Sequence, residues 1–272
     1  MVSSFGISIN NLCMVQKFSC EWGGKTLTIE VGKLTNQTNG ACTVQYGETV
    51  VLATAVMSQN KREGIDYFPL MVEFDEKLYA AGLIKGSRFI KREGRPSDES
   101  ILSGRMIDRA IRPLFDDSVR NDIQVVTTVL SFDGENDADV VGLVAASAAL
   151  SISNIPWTGP IGGIRVGQIN GEWVINPSYE ARLKSALDMV VAGTPEKVIM
   201  LEAGASEVPE KTVVEAIAFG QKHLREAIDL INQVVAAVGK EKVKFTQDLD
   251  DNAETAPVDE NQVLAMAREY LS

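Results

Sequence analysis

Histidine is almost absent from this chain of 272 residues, the single one being His223. A Ser-His-Asp triad would have to rest on it, yet it lies in a stretch, 215–238, patterned as an amphipathic helix, so His223 reads as structural. Cysteine is scarce too. Cys13, Cys20 and Cys42 match no zinc spacing and cannot all pair, which leaves reduced, partly buried thiols. No apolar run approaches the roughly 18 residues of a membrane span, and residues 1–16 lack the basic start, apolar centre and small-residue cleavage site of a signal peptide. These absences point to a cytoplasmic protein with no membrane partner. Aromatics make up only 6%, but 45% hydrophobic and 23% charged residues are the composition of a globular chain with a full core.

Positive charge is also in deficit. The formal net charge of −11 argues at first against nucleic acid, whose binding is driven by release of counterions from phosphates. Its distribution weakens that objection. Residues 240–272 hold Glu241, Asp248, Asp250, Asp251, Glu254, Asp259, Glu260 and Glu269 against Lys240, Lys242, Lys244 and Arg268, so much of the excess sits in the tail.

Alternation at 27–31, 42–46 and 49–56, punctuated by Gly32 and Asn39-Gly40, predicts strands and hairpins, with another strand at 66–74. Ser97-Asp98-Glu99 opens a helix by capping logic and Pro113 ends it, with Ile101, Leu102, Ile107 and Ile111 expected to face inward. The β-branched run 123–132 predicts a strand and the small-residue run 139–152 a buried helix. A meander at 159–174, strands at 187–192 and 198–202, and a long helix within 208–238 follow. Strands in runs with helices grouped among them give the α+β class. Residues 1–16 read as an N-terminal extension, 17–239 as a domain and 240–259 as a linker. Residues 260–272 begin a helix too short to stand alone in water, which predicts a fragment of a longer protein.

The basic residues concentrate between Gly86 and Phe115. Arg105, Arg109 and Arg112 fall at i, i+4 and i+7, one helix face of guanidiniums suited to bidentate phosphate contact. The same spacing also fits a salt-bridged helix with Asp108 and Glu99 as partners. Upstream, Arg88, Phe89, Lys91, Arg92 and Arg95 place an aromatic among cations, as single-stranded RNA binding requires, although a charged loop anchored by one Phe has this composition too.

The runs "AAGLIKGSRFIKREGRPSDESILSGRMIDRAIRPLF", "GKLTNQTNGACTVQYGETVVLATA" and "AASAALSISNIPWTGPIGGIRVG" together closely resemble the first RNase PH-type domain of the bacterial polynucleotide phosphorylase family. That resemblance implies an RNase PH-like (ribosomal protein S5 domain 2-like) fold with mixed sheets packed on helices, followed by the linker and the start of an all-helical domain. It implies a 3′-to-5′ exoribonuclease that attacks single-stranded RNA with inorganic phosphate and releases nucleoside diphosphates reversibly. It further implies a homotrimeric ring, RNA gripped by a constriction loop at Phe89-Ile90-Lys91-Arg92, and degradosome-type helicase or endonuclease partners. Ile90 stands where a second aromatic is usual. In this family the second RNase PH-type domain supplies an Asp, five residues, an Asp, one residue and a Lys, with Mg²⁺ on the carboxylates. Here the corresponding stretch, "RLKSALDMVVAG", carries Arg182, Asp188 and Val190 at those places, so this half is expected to hold no catalytic residue and no metal, with Asp188 structural. Two other readings stand beside this one. The chain could be a non-catalytic ring subunit of an exosome-like complex, or an active enzyme using its own cleft with the Arg105, Arg109 and Arg112 face holding phosphate.

Overall fold

The computed structural model describes residues 15–84 and 95–244. Six strands form the larger sheet: β1 (Gln16–Trp22), β2 (Lys25–Val31), β3 (Gly40–Tyr46), β4 (Thr49–Lys61), β5 (Leu70–Glu76) and β6 (Asn121–Ser131), in the order β1-β2-β3-β4-β6-β5. The first four are antiparallel neighbours in sequence order. Trp22 pairs with Lys25 across Gly23-Gly24, whose φ of 60° and 80° are the left-handed values that a two-residue hairpin matching strand twist demands. β5 runs parallel to β6 and starts later than the expected 66–74, because Pro69 has no amide hydrogen to give a ladder.

The second sheet has the order β10-β9-β7-β8, built from β7 (Gly162–Ile169), β8 (Glu172–Ile175), β9 (Leu187–Gly193) and β10 (Val198–Ala205), all antiparallel. The last of these runs beyond the expected end at 202. Two helices touch both sheets. In α2 (Ala138–Ile152) every residue but Asp139 is buried, as expected for a run of alanines, glycine and branched apolars with sheet on two sides. The long α4 (Glu210–Val238) buries one stripe, from Ala216 through Gly220, Leu224 and Ile228 to Val234, and leaves its other face in solvent. His223 lies on α4 with its ring 4.7 Å from that of Phe219 and Nδ1 3.3 Å from Glu226, away from the cleft described below. Cys20 and Cys42 are free thiols, Cys42 buried among apolar side chains that push its thiol up to about 12; Cys13 lies outside the described residues.

Helix α1 (Asp98–Ile111) begins as the sequence predicts. The hydroxyl of Ser97 accepts from the Ser100 amide at 3.0 Å, with Asp98 and Glu99 in the first turn. Its buried face differs from the expectation. Ile107 and Ile111 are buried, but Ile101 and Leu102 are 43% and 62% exposed, and Ser100, Gly104, Met106 and Ala110 take the inner positions. The cause is close approach: Ser100 donates to the Phe74 carbonyl, and Gly104 lies over the β5 backbone where a larger residue would hold the helix off.

The compact unit continues to Lys242, past the expected linker start at 240. The Lys240 ammonium donates to the Asn39 carbonyl at 2.6 Å. That of Lys242 donates to the carbonyls of Leu150, Ser151 and Ser153 at 2.7, 3.1 and 2.8 Å, closing the C-terminus of α2 where helix carbonyls lack partners.

Candidate functional site

A cleft of about 1090 Å³ opens between α1, β10, the 3-10 turn Leu78–Ala81 and the N-terminus of α2. Apolar side chains, among them Leu83, Leu102, Met106 and Phe132, form part of its wall. Its floor is ionic. Arg165 projects from β7, Asp188 from the neighbouring β9, Asp137 and Asp139 from the start of α2, and Arg182 from a one-turn helix, α3 (Tyr179–Arg182), that the sequence pattern does not reveal.

Arg165, whose side chain is 9% exposed, reaches all three carboxylates: Nη1 donates to Asp188 at 2.8 Å, Nη2 to Asp139 at 2.9 Å, and Nε lies against Asp137. Arg182 binds two of the same three. Its Nη1 is 2.9 Å from Asp137 Oδ2, and Nη2 and Nε are 2.7 and 3.0 Å from Asp188 Oδ2. The Tyr179 hydroxyl donates to Asp137 Oδ1 at 2.8 Å, and the Arg182 guanidinium stacks 5.1 Å above the Tyr179 ring.

These contacts set the protonation. Burial pushes the carboxyl of Asp139 up to about 7, and the neighbouring Asp137 adds to this against the pull of Arg165. Burial would raise Asp188 as well, but the hydrogen bonds and charges of Arg165 and Arg182 outweigh it and hold that carboxyl below the usual range. Burial and Asp137 push the Tyr179 hydroxyl up, so it stays a neutral donor. Burial would lower Arg165, yet the three carboxylates keep its guanidinium charged.

Such a floor does not fit Mg²⁺. Both oxygens of Asp188 are engaged by guanidiniums, the first carboxylate position holds Arg182, and Val190, at the lysine position, is an apolar side chain 2% exposed. Phosphate fits no better, because three carboxylates face two guanidiniums and the rim adds Asp75, Glu76, Glu99 and Glu202 against Lys77 and Arg95.

Of the RNA-binding candidates, Arg88, Phe89, Lys91 and Arg92 lie outside the described residues, and Arg95 is exposed at the cleft rim. The three arginines of α1 have unlike surroundings. Arg105 is exposed and has no ion pair among the described residues. Arg109 is about half exposed and pairs with Glu202 of β10. Arg112 is committed to protein: it binds Asp108 through two nitrogens at 3.0 and 2.7 Å, donates to the Leu70 carbonyl at 3.1 Å and sits over Phe68. Asp108 is thus a partner as the salt-bridged alternative expects, whereas the unexpected Glu202 takes Arg109. The sequence reading missed Arg165, Asp137, Asp139 and Tyr179. A signal for the first was present, since a charged residue inside the apolar strand "GGIRV" must find buried partners.

No helix among the described residues is long and apolar enough to cross a membrane. The chain matches the model of the 3′ exoribonuclease family, domain 1, over residues 23–156 and that of domain 2 of the same family over residues 159–223. The two matched segments correspond to strands β2 to β6 of the larger sheet with α1 and α2, and to the second sheet with the first part of α4. Curated relatives named polyribonucleotide nucleotidyltransferase include that of Exiguobacterium sibiricum, 52% identical over 231 residues, which are 85% of this chain and 31% of the relative. Those of Heliobacterium modesticaldum and Rhizobium meliloti are 51% and 48% identical over 84% and 94% of this chain and 32% and 35% of their own length. The chain therefore spans about a third of the length of the relatives it matches. The crystal structure of rice (Oryza sativa) Rrp46 superposes with a TM-score of 0.62, covering 83% of this chain and 97% of that one, and at 13% identity this likeness shows the fold. With both family segments matched in order along one RNase PH-like α+β unit, and relatives near half identity along most of its length, this chain belongs to the 3′ exoribonuclease family of RNase PH type.

Proposed function

We propose that this chain is the RNA-guiding and ring-building RNase PH unit of a polyribonucleotide nucleotidyltransferase, acting in the cytoplasm. The whole enzyme would degrade single-stranded RNA from its 3′ end with inorganic phosphate, releasing nucleoside diphosphates, and would run in reverse. Its reacting groups and its Mg²⁺ would come from a second RNase PH-type domain. The observation that carries this division of labour is the floor of the cleft, where Arg165 and Arg182 occupy the carboxylates of Asp137 and Asp188. Binding would rest on Arg88, Phe89, Lys91, Arg92 and Arg95, with the phosphate contact of α1 resting on Arg105 and, if it leaves Glu202, Arg109. Arg112 would serve the fold through Asp108 and Leu70. A homotrimer and degradosome-type helicase or endonuclease partners belong to the same proposal. The relatives' shared name favours it over a scaffold subunit of an exosome-like ring.

The test separates binding from chemistry. This chain, given single-stranded RNA and phosphate, should shift RNA in a binding assay and release no nucleoside diphosphate. Phosphate-dependent release by the chain alone would overturn the reading in favour of catalysis in its own cleft. Replacing Lys91→Ala with Arg92→Ala in the trimeric enzyme should weaken RNA binding and flatten its dependence on salt, and unchanged affinity with unchanged slope would show that the grip lies elsewhere.

A further inference from the structure

Arg109 stands between two extremes on the same helix. Arg112 uses three nitrogens on acceptors of Asp108, Phe68 and Leu70, whereas Arg105 has no ion pair among the described residues. Arg109 meets Glu202 through one nitrogen, Nη2, against Oε2, and the two side chains are 52% and 50% exposed. An ion pair that wet holds weakly, because water solvates both partners almost as well once they separate. Its surroundings leave room for a competitor. Glu202 lies on β10, an edge strand of the second sheet, and lines the cleft together with Ala203 and Gly204. No atom stands within 4 Å of where a Cβ on Gly204 would be, so an extended chain can come up to the pair without meeting a bulky side chain.

We propose that Glu202 is a positioning residue for the passage of RNA: it stands in for a phosphate on Arg109, holds that guanidinium out toward β10, and takes it back as each phosphate moves on. The inference rests on the proposal above that the α1 face contacts RNA. Its chemistry is one of exchange. A carboxylate oxygen on one guanidinium nitrogen is the contact a phosphodiester oxygen makes, and a phosphate that takes two nitrogens of the fork displaces it. The carboxylate left behind is half exposed, so water receives it at little cost. The result is a grip weakened by an internal competitor. An enzyme that shortens its strand from one end must let go of every phosphate in turn, and an arginine with nothing to return to holds each one longer.

The test compares signs. Binding of a fluorescent oligouridylate to this chain is measured across KCl concentrations for the native protein, Glu202→Gln, Arg109→Gln and the double variant. Glu202→Gln removes the competitor and keeps the shape, so affinity should rise by about 1.5- to 5-fold, the range of an exposed ion pair. The logarithm of affinity should also fall more steeply with the logarithm of salt, by up to about 0.7, the release expected for one single-strand phosphate. Arg109→Gln should move both quantities the other way, and the double variant should match it, since Glu202 acts only through that arginine. In the trimeric enzyme Glu202→Gln should lower KM for RNA and kcat together, and an unchanged kcat would overturn the role in passage. A mere staple between α1 and the second sheet behaves differently: both single variants would weaken RNA binding and both would melt lower, which also overturns the proposal. So does a gain in affinity that persists when Glu202→Gln is added to Arg109→Gln, because that is the general effect of losing one negative charge. A native chain that binds no RNA at any salt concentration defeats the RNA-guiding reading, and the role of Glu202 with it. Binding that is present in the native chain and indifferent to Glu202→Gln defeats this inference alone.

Discussion

Arg165→Met tests how strongly the ionic floor holds the start of α2 against the second sheet. The native guanidinium contacts Asp137, Asp139 and Asp188 and is 9% exposed, so water offers those carboxylates little replacement. Methionine keeps much of the volume but leaves three carboxyl groups with only Arg182 as a counter-charge. Removing one partner from a buried ion pair costs about 3–5 kcal/mol, chiefly because the remaining charge stays desolvated. With a urea dependence of about 1–3 kcal/mol per molar, the unfolding midpoint at neutral pH should fall by about 1 M or more. The loss should depend on pH in a definite sense. In the variant Asp139 loses the guanidinium that pulls its carboxyl down against burial, so that carboxyl rises further above its unfolded value, takes up its proton on acidification, and the variant recovers relative to native as pH falls toward 5. Adding Asp139→Asn should recover part of the loss at neutral pH. A destabilisation under about 1 kcal/mol, or one of equal size at both pH values, would mean that the cluster is well solvated and that its geometry carries little energy.

Four further outcomes follow from single contacts. Asp139, whose carboxyl is pushed up to about 7, keeps a proton in the folded state that the unfolded chain has released, so its contribution to stability falls as pH rises from about 4 to 7; urea titrations should show that slope diminished in Asp139→Asn. Gly40→Ala would place a Cβ 2.2 Å from the Ala149 carbonyl oxygen and should cost about 1–3 kcal/mol in a thermal melt. Gly204→Ala, with nothing within 4 Å, should stay within about 0.5 kcal/mol of native. Lys242→Met removes a donor from three carbonyls and should cost about 1–2 kcal/mol, with faster hydrogen exchange in the last turn of α2 as the local readout.

Local rules made much of the fold legible. The alternation of β3 and β4, the Ser97 cap and the buried, small-residue α2 are consequences of residues within a few positions of one another, and each begins close to where the sequence puts it, although β4 runs on to Lys61, past the expected end at 56. The inner face of α1 was not legible, because Ser100 and Gly104 are inward by virtue of β5, a neighbour more than 20 residues away. In the candidate site, Arg182 and Val190 could be picked out as departures from a family pattern that Asp188 keeps. Their consequence could not: the arginine in the first carboxylate's place pairs with the second, and it does so together with Arg165 and Asp137, which no spacing connects to them. Arg109 shows the same limit, since its partner Glu202 belongs to the other sheet.

Because α2 lies against both sheets, the two matched segments, 23–156 and 159–223, share one interior. A chain cut between them would strip from the first piece the sheet that covers one side of its otherwise buried helix α2, and from the second the helix that covers one face of its sheet. Neither is an autonomous folding unit, and the whole is expected to melt in a single transition, with the amides of α2 exchanging only through global opening. Changes at the cleft and changes at the outer strands would then reach each other through stability, even where no contact joins them.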